Sequence, residues 1–183
     1  APGQPRQPRL EARVREPASE RERAVLAVCR AQGYAPAANA DGLPRLLYPH
    51  QYENVLRFQQ ELSQAMPAGA VSAFTETGPP YGLVIADVPG LGKTTSAAVC
   101  VGLARALAAA NPLAGTPSPS CALVVCPKSI MQQWEAEFRS LFPTWTVVTW
   151  GDGVRSFDAS TTHVVLITYE GLRAAFASAY STE

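Results

Sequence analysis

Lys93, Thr94 and Thr95 close a glycine-bearing run, Leu83–Thr95, that reads LVIADVPGLGKTT. A mobile cation beside a hydroxyl suits phosphate oxygens and the Mg²⁺ they carry. Gly90 and Gly92 let the backbone curl and turn its N–H groups inward, which makes an anion-binding concavity. Four apolar residues, Leu83 to Ala86, precede the loop and read as a short buried strand. The alanine-rich stretch after it reads as a helix from about Lys93, with the positive end of its dipole at the loop. Strand, loop and helix in this order are the context of a phosphate-binding loop. Asp87, Gly90, Leu91 and Gly92 then form the cradle, and Lys93 reaches the β- and γ-phosphates as the candidate catalytic residue. Thr94 meets Mg²⁺, and Thr95 completes the set. The general pattern is G-x-x-x-x-G-K-[ST], and Asp87 stands where it has its first glycine. A Gly-rich turn with a surface lysine is the plainer alternative.

The elements that must hold this loop follow from the chain in order. Ala1–Pro17 carries four prolines among arginines and reads as a disordered lead-in. Residues 18–45 read as a helix capped by Ser19 and ended near Gly33, followed by a linker. Residues 46–183 read as one lobe. Pro49 opens a helix in its first turn, with Tyr52, Val55, Leu56 and Leu62 on one side. Gln51 falls at its start, where an amide could donate and accept together; a solvated surface glutamine is the plainer reading. Thr95–Ala110 reads as a helix, Cys121–Cys126 as a buried strand, and Ser129 with Gln132 as a capping box. The helix they open carries Ile130, Trp134, Phe138, Leu141 and Phe142 and stops at Pro143. Thr146–Trp150 and His163–Thr168 read as two more strands, and Tyr169–Ala179 as a last helix. Strands alternating with helices predict an α/β fold with a parallel sheet covered on both faces. Asp87, Pro127 to Ser129 and Thr168 all follow strand ends, the rim where such sheets bind ligands.

Composition narrows the choices. The 183 residues, 47% hydrophobic, suffice for one domain with a sizeable core. Fifteen basic and fifteen acidic residues cancel, which argues against a polybasic nucleic-acid tail but leaves room for a local basic groove. Thirteen of the basic residues are arginine; the two lysines, Lys93 and Lys128, both fall in the stretches singled out here. Cys29, Cys100, Cys121 and Cys126 include no C-x-x-C pair and read as free thiols, which fits a reducing compartment. No apolar run approaches the roughly 20 residues of a membrane span. His50 and His163 have no sequence partners that would make a metal site and read as solvated or satisfied residues. The chain opens with Ala rather than Met, and is expected to be a piece of a longer one.

LLYPHQ, ADVPGLGKT, LVVCPKSIMQQWEAEF and VVLITYEGLR, in that order, resemble the first lobe of the Swi/Snf-type helicase-like ATPases of superfamily two. The resemblance runs from about Leu46 to Arg173. It implies a three-layer RecA-like P-loop lobe that binds ATP and Mg²⁺. Asp at the first loop position is usual in that family, whereas Val88 and Pro89 stand where it generally has Glu and Met. By this resemblance Gln51 contacts adenine. Gly90, Gly92, Lys93, Thr94 and Thr95 hold the triphosphate and Mg²⁺. Pro127, Lys128 and Ser129 touch a DNA backbone, and Thr168 lies in the next such motif. Phosphate contacts of this kind ignore base sequence. A strand end and a helix cap are the plainer readings of Pro127–Ser129, and packing is the expected role of Trp134.

The resemblance also implies parts that the 183 residues do not contain. The family's Asp-Glu-x-His-type segment holds Mg²⁺ and orients water, and its second lobe supplies arginines to the γ-phosphate. The expectation is therefore a lobe incomplete at its C-terminus, part of a nuclear DNA-dependent ATPase acting on duplex DNA or nucleosomes. Alone it should hydrolyse ATP poorly. A short non-catalytic nucleotide- or partner-binding module is the alternative, and a small P-loop kinase a remoter one.

Overall fold

Ser19 begins the first helix by a reciprocal exchange. Its hydroxyl accepts the Glu22 N–H at 3.1 Å, and the Glu22 carboxylate accepts the Ser19 N–H at 3.1 Å. Helix α1 (Glu20–Ala31) ends where Gly33, at φ +89°, takes the left-handed conformation. There Tyr34 N–H reaches Cys29 O and Gly33 N–H reaches Arg30 O, both at 3.0 Å, the bond pair of a Schellman close. The computed structural model describes residues 19–36, 47–65, 83–110, 121–151, 154 and 156–180. The expected lead-in 1–17, most of the 34–44 linker and the loops 67–82 and 111–120 lie outside them.

The remaining elements are α2 (Pro49–Ala65), α3 (Lys93–Ala110), β1 (Ala122–Val125), α4 (Lys128–Leu141), β2 (Val147–Thr149), β3 (Val164–Ile167) and α5 (Tyr169–Tyr180). The sheet is parallel with order β1-β3-β2, so the chain leaves β1 through α4 to the far edge and returns to the middle. Strand β3 is buried at all four positions, as a central parallel strand should be. This is the α/β class with a parallel sheet that the alternation predicts, as in a RecA-like lobe.

Two expectations are corrected. Leu83–Ala86 alternates half-buried and exposed side chains but pairs with no strand among the described residues, and Val84 is 87% exposed. Leu83 and Ile85 instead lie along α3, lining an apolar cleft of about 400 Å³ with Cys100, Val101 and Cys121. Hydrophobic runs predict which side chains turn inward; they do not supply the partner backbone that makes a strand. The second correction is the Ser129–Gln132 capping box. Pro127, at φ −58° and ψ 144°, is the N-cap and makes no side-chain cap bond, so α4 starts at Lys128 and places Ser129 inside the first turn.

Helix α3 is the centre of the packing. Its Ala98, Val99 and Leu103 are fully buried against Val25, Leu26 and Cys29 of α1, Tyr52 and Val55 of α2, and Phe138 and Leu141 of α4. Burying each Val, Leu or Phe side chain here contributes about 1.5–3 kcal/mol. An aromatic stack continues this core: Phe142 lies over Trp145 at 4.0 Å, and Trp145 over the His163 ring at 5.5 Å. Trp145 Nε1 donates to Gln32 O at 2.7 Å, which fastens the close of α1 to the turn after α4. Cys29, Cys100 and Cys126 are buried free thiols and Cys121 is half-buried. Burial pushes the Cys29 and Cys100 thiols up to about 12.

His163 is satisfied, as the sequence reading has it. Its Nδ1 accepts the Thr146 N–H at 3.2 Å, so the ring proton sits on Nε2. Burial, and then the Arg105 guanidinium, lowers the His163 pKa from the ordinary 6.5. A folded pKa below the unfolded one leaves stability intact above about pH 6.5 and removes it as pH falls through the folded value. Chemical denaturation between pH 7 and pH 5 should therefore show a loss of stability in the wild type. His163→Asn, which keeps an acceptor near Nδ1 without a titrating ring, should reduce it. An unchanged pH slope in the variant would contradict this.

Candidate functional site

The loop between Asp87 and Lys93 is shaped by three local choices. Pro89 and Gly90 occupy the centre of a four-residue turn, closed by Leu91 N–H to Val88 O at 3.4 Å, with Gly90 at φ +89°. A proline followed by a positive-φ glycine is the pattern of a type II turn. This is how Val88 and Pro89 are accommodated: they build the loop tip, and both are exposed. Gly92, at φ +75°, then turns the chain into α3, whose first helical bond runs from Ser96 N–H to Gly92 O at 3.1 Å. The amides before that bond belong to the helix start, which leaves donors for an anion.

Helix α2 grips the loop by its carbonyls. Gln51 is 3% exposed, and its Nε2 donates to Leu91 O and Gly92 O, both at 3.3 Å. Its Oε1 accepts the Tyr48 N–H at 2.9 Å, the return half of a capping box at the start of α2. A Cβ on Gly92 would collide with the Gln51 amide and approach Thr95 Oγ1 to 3.5 Å, so only glycine allows this approach. His50 Nε2 lies 2.8 Å from Leu91 O, and Asn54 Nδ2 donates to Asp87 Oδ2 at 2.7 Å. Three side chains from the first two turns of α2 thus contact Asp87, Leu91 and Gly92.

Lys93 curls back over the loop, its Nζ donating to Asp87 O at 2.8 Å and Val88 O at 3.1 Å. The ammonium is thereby held above the turn, and an incoming phosphate would exchange two carbonyls for a charge-assisted pair. Thr94 is half-buried beside it. Thr95 is buried, and its hydroxyl donates across to the Glu137 carboxylate of α4. Gly90 itself is open: a Cβ there would meet nothing within 4 Å.

The sheet brings the second group together. In the β1–β3 register Val125 faces Ile167, and Cys126 N–H continues the ladder to Ile167 O at 3.0 Å. Pro127–Ser129 and Thr168 therefore sit at neighbouring carboxyl ends, with Pro127, Lys128 and Ser129 exposed. The Thr168 hydroxyl accepts the Gly171 N–H at 3.0 Å and so caps α5. The phosphate loop meets this rim through α4, by way of Thr95 and Glu137. Trp134 packs half-buried on Phe138, as expected.

Sequence reasoning missed His50, Asn54 and Glu137 as loop contacts. Asn54 lies one turn beyond His50, so the start of α2 carried a signal in its i, i+4 spacing. Nothing local marks Glu137, which lies 42 residues from Thr95 in the chain. Among the described residues no group of three or more His, Cys, Asp or Glu side chains could hold a metal ion alone, and no helix is long and apolar enough to cross a membrane.

A glycine-bearing loop opening α3, beside a parallel α/β sheet with a second motif at its strand ends, is the arrangement of a RecA-like lobe. The chain belongs to the SNF2-related domain family, which matches residues 29–181. This is a family of helicase-like, remodelling-type ATPases. The chain is 36% identical over 75 residues to the Arabidopsis thaliana protein named CHROMATIN REMODELING 19, a stretch covering 41% of this chain and 9% of that protein. It is 32% identical over 95 residues to DNA repair protein rhp54 of Schizosaccharomyces pombe, covering 52% of this chain and 10% of that protein. The matched stretches thus span about a tenth of either relative's length.

Gly90→Ala and Gly92→Ala separate backbone strain from the α2 contact. Both place an L residue at positive φ, at about 1–2 kcal/mol. Only Gly92→Ala also displaces the Gln51 amide. Urea unfolding should show Gly92→Ala as clearly the more damaging, and equal losses would contradict the grip of Gln51 on the loop.

Proposed function

We propose that this chain is the ATP-binding part of a DNA-dependent ATPase of the remodelling type, working in the nucleus on duplex DNA or nucleosomes. The observation that carries the reading is the loop Asp87–Lys93 with its carbonyls tied to α2 and the start of α3 turned outward. The donor set fits a triphosphate: the backbone amides of Gly90, Gly92, Lys93 and Thr94, the Lys93 ammonium and the positive end of α3. Magnesium would arrive with the phosphates and meet the Thr94 hydroxyl. Gln51 lies on the same wall, and to meet adenine its amide would exchange its bonds to Leu91 O, Gly92 O and Tyr48 N–H; Asp87 holds the loop through Asn54.

Bound Mg-ATP would supply the phosphoanhydride whose cleavage drives movement. The chain's own residues would bind the phosphates, orient them and neutralise charge. These 183 residues contain no Asp-Glu-x-His-type segment to orient water, so hydrolysis by this chain alone should be slow. Pro127, Lys128 and Ser129, exposed beside Thr168, would contact the DNA backbone. The names of the two relatives, a chromatin-remodelling protein and a DNA-repair protein, support that partner.

Titrating a fluorescent ATP analogue with Mg²⁺ tests the nucleotide reading. Lys93→Ala should weaken binding at least about tenfold, the effect of losing roughly 1.4 kcal/mol; equal affinity would remove Lys93 from the site. Duplex binding measured against salt tests the second. Lys128→Ala should weaken binding uniformly across sequences and lower the salt slope by about 1. An unchanged slope would mean that Lys128 touches no phosphate.

A further inference from the structure

We infer that Glu137 is a positioning residue for the phosphate loop: by accepting the Thr95 hydroxyl it fixes the first turn of α3 from the side opposite α2. This rests on the nucleotide-binding reading of the loop and adds to it a residue that lies outside the loop and its flanking strand and helix. A threonine in a helix ordinarily turns its hydroxyl back to the carbonyl three or four residues earlier. For Thr95 those are the carbonyls of Gly92 and Leu91, and Gln51 already donates to both. The Thr95 hydroxyl donates to Glu137 on a different helix.

The geometry makes this contact a clamp. Thr95 is 6% exposed, so its hydroxyl is shielded from water and depends on protein acceptors. Glu137 is half-buried on α4, whose Phe138 and Leu141 are wholly buried beside α3, so the carboxylate is carried on a packed element. A carboxylate accepts and cannot donate, and its bond to a hydroxyl is charge-assisted. The loop is thus held by its carbonyls from α2 and by its following turn from α4. The amides of Gly90 to Thr94 lie between the two holds. Glu137 also lies nine residues, about 14 Å, along α4 from Lys128, so one rigid helix spans the distance from the clamp to the strand-end rim.

The test uses the 183-residue chain with Mg²⁺ and a fluorescent ATP analogue, folding being checked by circular dichroism. Glu137→Ala should weaken binding about five- to thirtyfold, while Glu137→Gln, which keeps the acceptor oxygen, should stay within about twofold. Thr95→Val should weaken binding like Glu137→Ala, and Thr95→Ser should restore it. The Thr95→Val/Glu137→Ala double variant should lose clearly less than the product of the two single losses, because both remove the same bond. Glu135→Gln, which removes only the surface pair with Arg139, should bind like wild type. Should Glu137→Ala fail to fold, Glu137→Leu takes its place. Wild-type affinity in a folded Glu137→Ala or Glu137→Leu chain, or losses that multiply in the double variant, would overturn the role of Glu137. If Lys93→Ala still abolished binding, the nucleotide reading would stand. No saturable binding by the wild type would overturn the nucleotide reading and this inference together.

Discussion

The loop Asp87–Lys93 is held chiefly by its acceptors, with Leu91 N–H spent on closing the turn to Val88 O; on the proposed reading its remaining donors are left for a ligand. Leu91 O and Gly92 O accept from Gln51, Leu91 O also lies against His50, and Asp87 O and Val88 O accept from Lys93. With these carbonyls bound on the protein side, and Leu91 N–H on Val88 O, the peptide planes are oriented. An anion site made of backbone amides needs this orientation fixed before the ligand arrives, because ordering it on binding would cost affinity. Gly90 and Gly92 make the curl possible; the contacts from α2 make it the one the loop adopts.

The packing of α3 serves that constraint. A helix that presents its N-terminus to a ligand must be immobile behind it. Helix α3 is covered by α1, α2 and α4, with Ala98, Val99 and Leu103 wholly buried. Gln51 joins two tasks, since its Oε1 caps α2 through Tyr48 while its Nε2 holds the loop. The start of α2 and the start of α3 are consequently one structure, although 40 residues separate Gln51 from Leu91.

Much of this was legible where a local rule decides the outcome. Ser19 with Glu22, Gly33, Pro49 and the loop glycines fix helix ends and a turn by their own backbone chemistry, and each does so here. The apolar runs at Cys121–Cys126, Thr146–Trp150 and His163–Thr168 became strands because each has a parallel neighbour. Leu83–Ala86 is an apolar run of similar length without a partner among the described residues, and an apolar pattern cannot report a missing ladder. The Ser129–Gln132 pair failed because Pro127, as N-cap, set the helix start two residues earlier than the capping pattern requires. Two further loop contacts, from Asn54 and Glu137, depend on tertiary geometry. The family resemblance pointed to the loop and to Gln51, whereas the contacts of Asn54 and Glu137 emerged only once α2 and α4 were placed around it.

The central claim is that a triphosphate is held by the amides of Gly90, Gly92, Lys93 and Thr94. An amide-resolved NMR titration of the isotopically labelled chain with Mg-ATP addresses it most directly. The account predicts saturable shifts concentrated at Gly90–Thr95, with smaller ones at His50, Gln51 and Glu137. Shifts confined to another surface, such as the groove between α1 and α2 past Arg21 and Arg57, with the loop amides unmoved, would contradict it.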